Sequence, residues 1–138
     1  VRASIPLNGV YREMRTAQFG ASGLAGVWAE ENTRAAIFNA LRRKETFGTS
    51  GNRIKLRFFG GFDLSSIDLD SEDLAKRAYG KGVPMGSDLM GQGTKAPSFI
   101  VWAQRDSYGA PLQRLQISKG WYDHRYKKEN REKIYDVA

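Results

Sequence analysis

The 138-residue sequence contains no cysteine, which excludes disulfides, thiolate metal centres and cysteine nucleophiles without choosing a cellular compartment. Its single histidine, His124, excludes any metal centre built from several imidazoles of this chain and would have to serve alone in a Ser-His-Asp triad. No G-x-S-x-G elbow accompanies it, and it stands beside Asp123 in a charged stretch, so it reads as an exposed loop histidine. No apolar run approaches the roughly 18 to 20 residues that span a bilayer, and the opening VRASIPLNGVYREM lacks the basic-then-apolar layout of a signal peptide. A membrane role is therefore not expected. Because the chain begins at Val1 and not at a methionine, any address signal is expected to have gone with what preceded it, and the localisation stays open. The glycine-rich stretch 80–93 has neither the GK[ST] ending of a P-loop nor the dinucleotide fingerprint after a strand, so it reads as a flexible or edge-covering loop.

What is present is ordinary for a globular chain: 41% hydrophobic and 27% charged residues, in a length that suits one domain with a core. The net charge of +7 arises from 22 basic and 15 acidic residues and is striped along the chain. Residues 31–60 carry seven cations (Arg34, Arg42, Arg43, Lys44, Arg53, Lys55, Arg57) against Glu31 and Glu45. Residues 61–91 reverse the balance, and residues 119–133 turn basic again. Cations at a helix end favour its negative pole, and the alternating Lys55 and Arg57 suit the wet face of a strand. No recognised binding motif accompanies the charge, so the stripes read as solvated faces and a nucleic-acid partner is not expected.

Hydrophobic periodicity predicts an α+β chain. Residues 1–22 read as an irregular lead-in with one turn of helix near residues 12–16. LAGVWA, at residues 24–29, reads as a buried strand, and Asn32 or Thr33 caps a helix that runs to about Lys44 with Ala36, Ile37, Ala40 and Leu41 on one face. TFGTS, at residues 46–50, reads as a second strand, so that the three segments form a βαβ unit with parallel strands. After Gly51 the alternation of Ile54, Leu56 and Phe58 marks a strand, a short helix over residues 72–78 is capped by Ser71, and SFIVWAQ, LQRLQISKGW and EKIYDVA are further strands in a mainly antiparallel arrangement. The expected core is Leu24, Val27, Ile37, Leu41, Ile54, Leu56, Phe58, Phe99, Val101, Leu115, Ile117 and Ile134.

Candidate chemistry is sparse. Glu30 and Glu31 stand where a strand ends and a helix begins, the place where α/β proteins put ligand-contacting groups. The alternative is that Glu31 favours the positive helix end while Glu30 is solvated. With Arg34 and Arg53 from the basic stretch they make the candidate substrate-binding set. No catalytic residue and no metal ligand is assigned. Trp28 and Trp102 read as core residues of strands, whereas Trp121 is open to either core or binding use.

The stretch VWAEENTRAAIFNALRRKETFGTSGNRIKLRFFGGF, followed by KGVPMGSDL, APSFIVWA, LQRLQISKGW and EKIYDVA, resembles the C-terminal portion of a large bacterial family carrying a domain of unknown function. Members of that family resemble the PHP (polymerase and histidinol phosphatase) superfamily of metal-dependent phosphoesterases. The wording is most specific in AEENTR, ALRRKET and TSGNRI. The resemblance implies that residues 23–51 are the last βαβ segment of a PHP-like barrel and residues 52–138 an appended, sandwich-like antiparallel β domain. It implies a hydrolase of phosphoester-type substrates in the full-length protein, with divalent metal held by His and Asp residues of earlier strands. None of those ligand motifs occurs here, so this chain is expected to hold no cofactor and to be inactive alone. The remainder of the parent chain is then the expected partner, and self-association through residues 24–50 is expected for the isolated piece. The competing reading is a β module that binds an anionic ligand or mediates oligomerisation.

Overall fold

A computed structural model describes the backbone of residues 3–7, 10–14, 22–123 and 129–138, and the side chains of residues 22–122 and 130–138. His124 lies outside the described residues. The chain divides into two compact units, Val1–Gln104 and Arg105–Ala138.

In the first unit, β1 (Ala3–Leu7) pairs antiparallel with β2 (Val10–Met14), from Ala3 opposite Met14 to Leu7 opposite Val10. This replaces the expected irregular lead-in. Residues 12–14 are strand and not a helical turn, while residues 15 and 16 lie outside the described set. The overlooked signal is the dipeptide Asn8-Gly9 between the strands, the residue pair most favoured between two hairpin strands.

Next come β3 (Ala25–Val27), α1 (Arg34–Arg42) and β4 (Thr46–Gly48). Thr33 caps α1 as expected, its hydroxyl oxygen accepting from the Ala36 N–H at 3.3 Å. The strands, however, pair antiparallel, Ala25 opposite Gly48 and Val27 opposite Thr46, so the predicted parallel crossover is overturned. The reason is one of reach. A nine-residue helix spans ~14 Å, and the six residues that lead into it span up to ~20 Å. The helix therefore cancels the outward excursion and returns the chain to the strand end it left, where the Trp28 N–H donates to the Glu45 carbonyl at 3.0 Å.

The core lies around β5 (Lys55–Gly61), a 3-10 turn at Leu64–Ser66, α2 (Leu74–Lys81), β6 (Val83–Pro84) and β7 (Ser98–Gln104). The sheet order is β6-β5-β7, antiparallel throughout, with Phe59 opposite Ile100 and Arg57 opposite Trp102. Phe59, Leu64, Ile67, Ala78 and Ile100 are buried together, with Leu74 and Trp102 against them. The Phe59 ring meets Tyr79 edge-on at 4.9 Å and stacks on Trp102 at 5.8 Å. Helix α2 begins later than predicted. The Ser71 oxygen accepts from the Asp73 N–H at 3.3 Å, two residues on, instead of capping the helix, whose first residue is Leu74.

The expected core is one residue out of phase in β5 and β7. Phe59 and Ile100 point inward; Phe58 is half-buried, and Phe99 is 50% exposed, its ring stacked on Phe58 at 5.4 Å. Consecutive aromatics at Phe58 and Phe59 allow either phase, and the face covered by α2 and the 3-10 turn decides it. Leu24, Leu41 and Ile134 are exposed as well, whereas Val27, Ile37, Ile54, Leu56, Val101, Leu115 and Ile117 are half-buried.

The second unit is a hairpin of β8 (Gln116–Asp123) and β9 (Glu129–Asp136) with eight antiparallel pairs. Bonds from the Leu115 N–H to the Ala138 carbonyl and from the Val137 N–H to the Leu115 carbonyl extend the ladder. The expected turn in DSYGAP is present, closed by the Gly109 N–H on the Asp106 carbonyl. The chain is thus α+β, with two helices and sheets that are all antiparallel among the described residues. No described helix is long and apolar enough to cross a membrane.

Candidate functional site

Three places gather polar side chains. The first surrounds Glu45, which follows the turn after α1 and is only 4% exposed. Its Oε1 accepts from the Tyr79 hydroxyl of α2, and its Oε2 lies 3.5 Å from the Arg43 guanidinium. Burial first, and the Glu45 acceptor second, push the Tyr79 hydroxyl above its ordinary value, with Arg57 opposing them. The Arg57 guanidinium sits 3.7 Å over the Trp28 ring and 5.9 Å from Tyr79. Trp28 Nε1 in turn donates to the Leu56 carbonyl at 2.8 Å. Lys44, in the same turn, holds φ at 59°, and Gly86 (φ 83°) comes so close that a Cβ there would overlap the Lys44 carbonyl oxygen. Four sequence-distant stretches thus meet: VWAEEN, RRKE, NRIKLR and the segment from Tyr79 to Gly86. Glu45 is held by Arg43 and Tyr79, and Arg57 lies over Trp28 and near Tyr79, which makes the junction a latch between α1–β4 and the core sheet.

The second place is a groove of about 310 Å³ walled by Glu30, Glu31, Ala35, Ala36, Asn39 and Arg43. The structure brings Glu30 and Glu31 to one groove, with Arg43 as its cation. Arg34, the first residue of α1, and Arg53, in the link before β5, are exposed and do not line it. Glu31 accepts from the Thr33 hydroxyl at 2.9 Å, which orients the cap.

The third place is the β8–β9 hairpin, where a shallow groove of about 510 Å³ is lined by Ser118, Gly120, Trp121, Asn130, Arg131 and Glu132. Register puts Lys119 opposite Lys133 and Trp121 opposite Arg131 on one face, with Ile117 opposite Tyr135. The Lys119 amine is 5.4 Å from the Trp121 ring and the Lys133 amine 4.9 Å from the Tyr135 ring. On the other face, Ser118 donates to Glu132 at 2.6 Å and Gln116 to Asp136 at 2.6 Å. Trp121, left open by sequence, is 38% exposed, whereas Trp28 and Trp102 are half-buried in packing. Sequence reasoning missed this face because its cations come from two segments, KGW and REKIY, that are joined only by strand register.

A metal of the kind the PHP resemblance implies does not fit the donors found here. No three His, Cys, Asp or Glu side chains converge among the described residues. Asp63, an acidic group at the end of β5, is held by Lys95 at 2.7 Å, and that bond and charge draw its carboxyl below the ordinary value.

Comparison with known proteins gives a family match. The model of the family described as "Protein of unknown function (DUF3604)" matches residues 2–138. No curated protein and no solved structure matches the chain. The match covers both compact units, the latch and the hairpin groove alike, and the chain belongs to the DUF3604 family.

Proposed function

We propose that this chain is a non-catalytic portion of a larger PHP-like, metal-dependent hydrolase of phosphoester-type substrates, and that its β-rich part serves as a binding module for an anionic ligand. The hydrolase part of this reading rests on AEENTR, ALRRKET and TSGNRI, which resemble the family with the domain of unknown function, whose members in turn resemble PHP-like proteins. Divalent metal would be held by residues preceding this segment. The module part is supported by the way the chain deploys its ionisable groups. Glu45, the buried carboxylate, is occupied by Tyr79 and Arg43, while the amines of Lys119 and Lys133 lie on one exposed face beside the Trp121 and Tyr135 rings. That outward cationic face is the observation that carries the reading. The test is a phosphomonoesterase and phosphodiesterase assay of the 138-residue chain with manganese or magnesium. Background turnover is expected; turnover that falls in Glu30→Gln would overturn the non-catalytic assignment.

A second role is favoured by the exposure of Leu24, Phe38 and Leu41, at 49%, 57% and 50%. Apolar side chains in that segment are suited to meet the remainder of the parent chain or, in the isolated piece, a second copy. Light scattering at micromolar concentration should show an oligomer that Leu41→Glu dissociates. A monomer of 15.5 kDa would dismiss it.

A further inference from the structure

We infer that β7 is a self-pairing strand: its open edge joins the same edge of a second copy of this chain, antiparallel and centred on Val101. The contact uses a surface distinct from the cationic hairpin and from residues 24–50. It starts from the backbone. In the β6-β5-β7 sheet, β5 takes one side of β7, and no other backbone among the described residues of the first unit bonds to residues 98–104. Alternate N–H and C=O groups along this seven-residue strand therefore face outward, a row that another extended strand satisfies. The two edges of the sheet differ. The β6 edge is two residues long and includes Pro84, which cannot donate to a ladder. The β7 edge has neither proline nor charge, so neither a missing donor nor a repelling side chain turns a second strand away.

The sequence of the strand selects the occupant. Turned about a two-fold axis at Val101, SFIVWAQ meets itself with Ser98 opposite Gln104, Phe99 opposite Ala103, Ile100 opposite Trp102, and Val101 opposite its own copy. Polar residues meet at both ends, a large ring meets a small side chain, and a β-branched residue meets an aromatic, a favourable cross-strand pair. Each pair keeps to one face, so the face that carries the buried Ile100 and the half-buried Trp102 continues into the same face of the second copy. A strand with charges at its centre would find no counter-charge here, and a second copy brings none. Apolar surface lies at the rim. Phe99 is 50% exposed and Leu69 64%, and both line a groove of about 210 Å³ with Ser98 and Ile100. Successive strand residues point to opposite faces, so a groove that touches Ser98, Phe99 and Ile100 in turn lies at the rim of β7 and not on one face. An isologous contact of this kind closes at two copies.

The chain has no cysteine, so single-cysteine variants of the whole 138-residue protein report the register. Across the axis the two copies of residue 101 stand ~4.5–5.5 Å apart at Cα, within the span of a disulfide. The two copies of residue 103 lie ~13 Å apart along the ladder, too far to bridge. Under mild oxidation, at concentrations on the order of 100 μM, Val101→Cys should cross-link to a dimer. Ala103→Cys should cross-link at least about tenfold less. Val101→Lys sets like charges against each other on the axis and should weaken dimerisation about tenfold or more, read by sedimentation equilibrium. Val101→Thr, uncharged and of similar shape, should retain the dimer, and unchanged far-ultraviolet circular dichroism keeps the comparison one of association. Leu41→Glu should leave the Val101→Cys cross-link in place, which separates this contact from association through residues 24–50. Cross-linking at residue 103 equal to or above that at residue 101, or a monomer at that concentration, overturns the inference. A dimer that Leu41→Glu dissociates and Val101→Lys leaves intact also overturns it, while keeping the other association.

Discussion

The β5–β7 and β8–β9 strand pairs are built from the same ladder and put it to opposite uses. Seven antiparallel pairs join β5 to β7, and eight join β8 to β9. In the first, one face is covered by α2 and the 3-10 turn, so that Phe59 and Leu64 are each 1% exposed. In the second, Leu115 and Ile117 are half-buried and the other described side chains of the strands are exposed. Ladder bonds are common to both, so the difference in stability must come from side-chain burial, which contributes roughly 25 cal/mol per Å² of apolar surface removed from water. A two-stranded hairpin with little burial is marginal by itself, and its side chains are correspondingly available for recognition.

The comparison can be broken most directly at Phe59. Phe59→Ala should cost about 3–5 kcal/mol through lost burial and the cavity left behind, measured by urea unfolding. Trp121→Ala in the hairpin should stay within about 0.5 kcal/mol. Equal effects at the two sites would end the distinction. Next in size is Gly86→Ala, where a positive φ and the Lys44 carbonyl together leave no place for a methyl group. A loss of about 2 kcal/mol or more is expected, read as a lowered melting temperature. Gly91→Ala, with nothing within 4 Å of its added Cβ, is the neutral control.

Smaller again is the latch. Tyr79→Phe removes the donor to Glu45 and should cost about 1–2 kcal/mol. It also carries a pH signature. The hydroxyl is pushed above its ordinary value of 10.0, so the protonated form is favoured by folding. That contribution is full below pH 10 and is lost as pH rises through the folded value. Alkaline titration of stability should therefore lose part of its slope above pH 10 in Tyr79→Phe, and an unchanged slope would remove the hydroxyl from the account. Smallest is Asp63→Asn. The Asp63 carboxyl is held below 3.8 by Lys95, so its contribution is present above that pH and fades as pH falls through the lowered folded value. Since the pair is exposed, added salt should erase most of the difference.

How much of this was legible follows the range of the interactions. The span of α1, the Thr33 cap and the strands β4, β5, β7, β8 and β9 are set by local periodicity and capping, and they lie near where the sequence places them. The β1–β2 hairpin was legible in Asn8-Gly9 and overlooked, because Pro6 and the scattered glycines drew the segment toward loop. Strand direction in β3–β4 was not legible. A helix between two strands fits either sense, and only the path of residues 28–45 decides. The inward phase of β5 was hidden by the Phe58-Phe59 pair. At the sites, Glu30 and Glu31 were placed together by their adjacency, but the Glu45–Tyr79 bond joins residues 34 apart and the Lys119–Lys133 pair depends on register. Glu45 did leave one trace, as a single acid closing the run Arg42-Arg43-Lys44.

The facing lysines give the hairpin an unusual dependence on ionic strength. At 0.1 M salt charges are screened over ~10 Å, and at 1 M over ~3 Å. Concentrated salt should therefore relieve the Lys119–Lys133 repulsion and firm up the ladder, while the Asp63–Lys95 bridge in the other unit weakens. The same ions would compete with any anionic ligand for the amines. The hairpin should be at its stiffest under conditions where it binds least, and in dilute buffer it should hold its cations under mutual strain, ready to be quenched by a counter-charge.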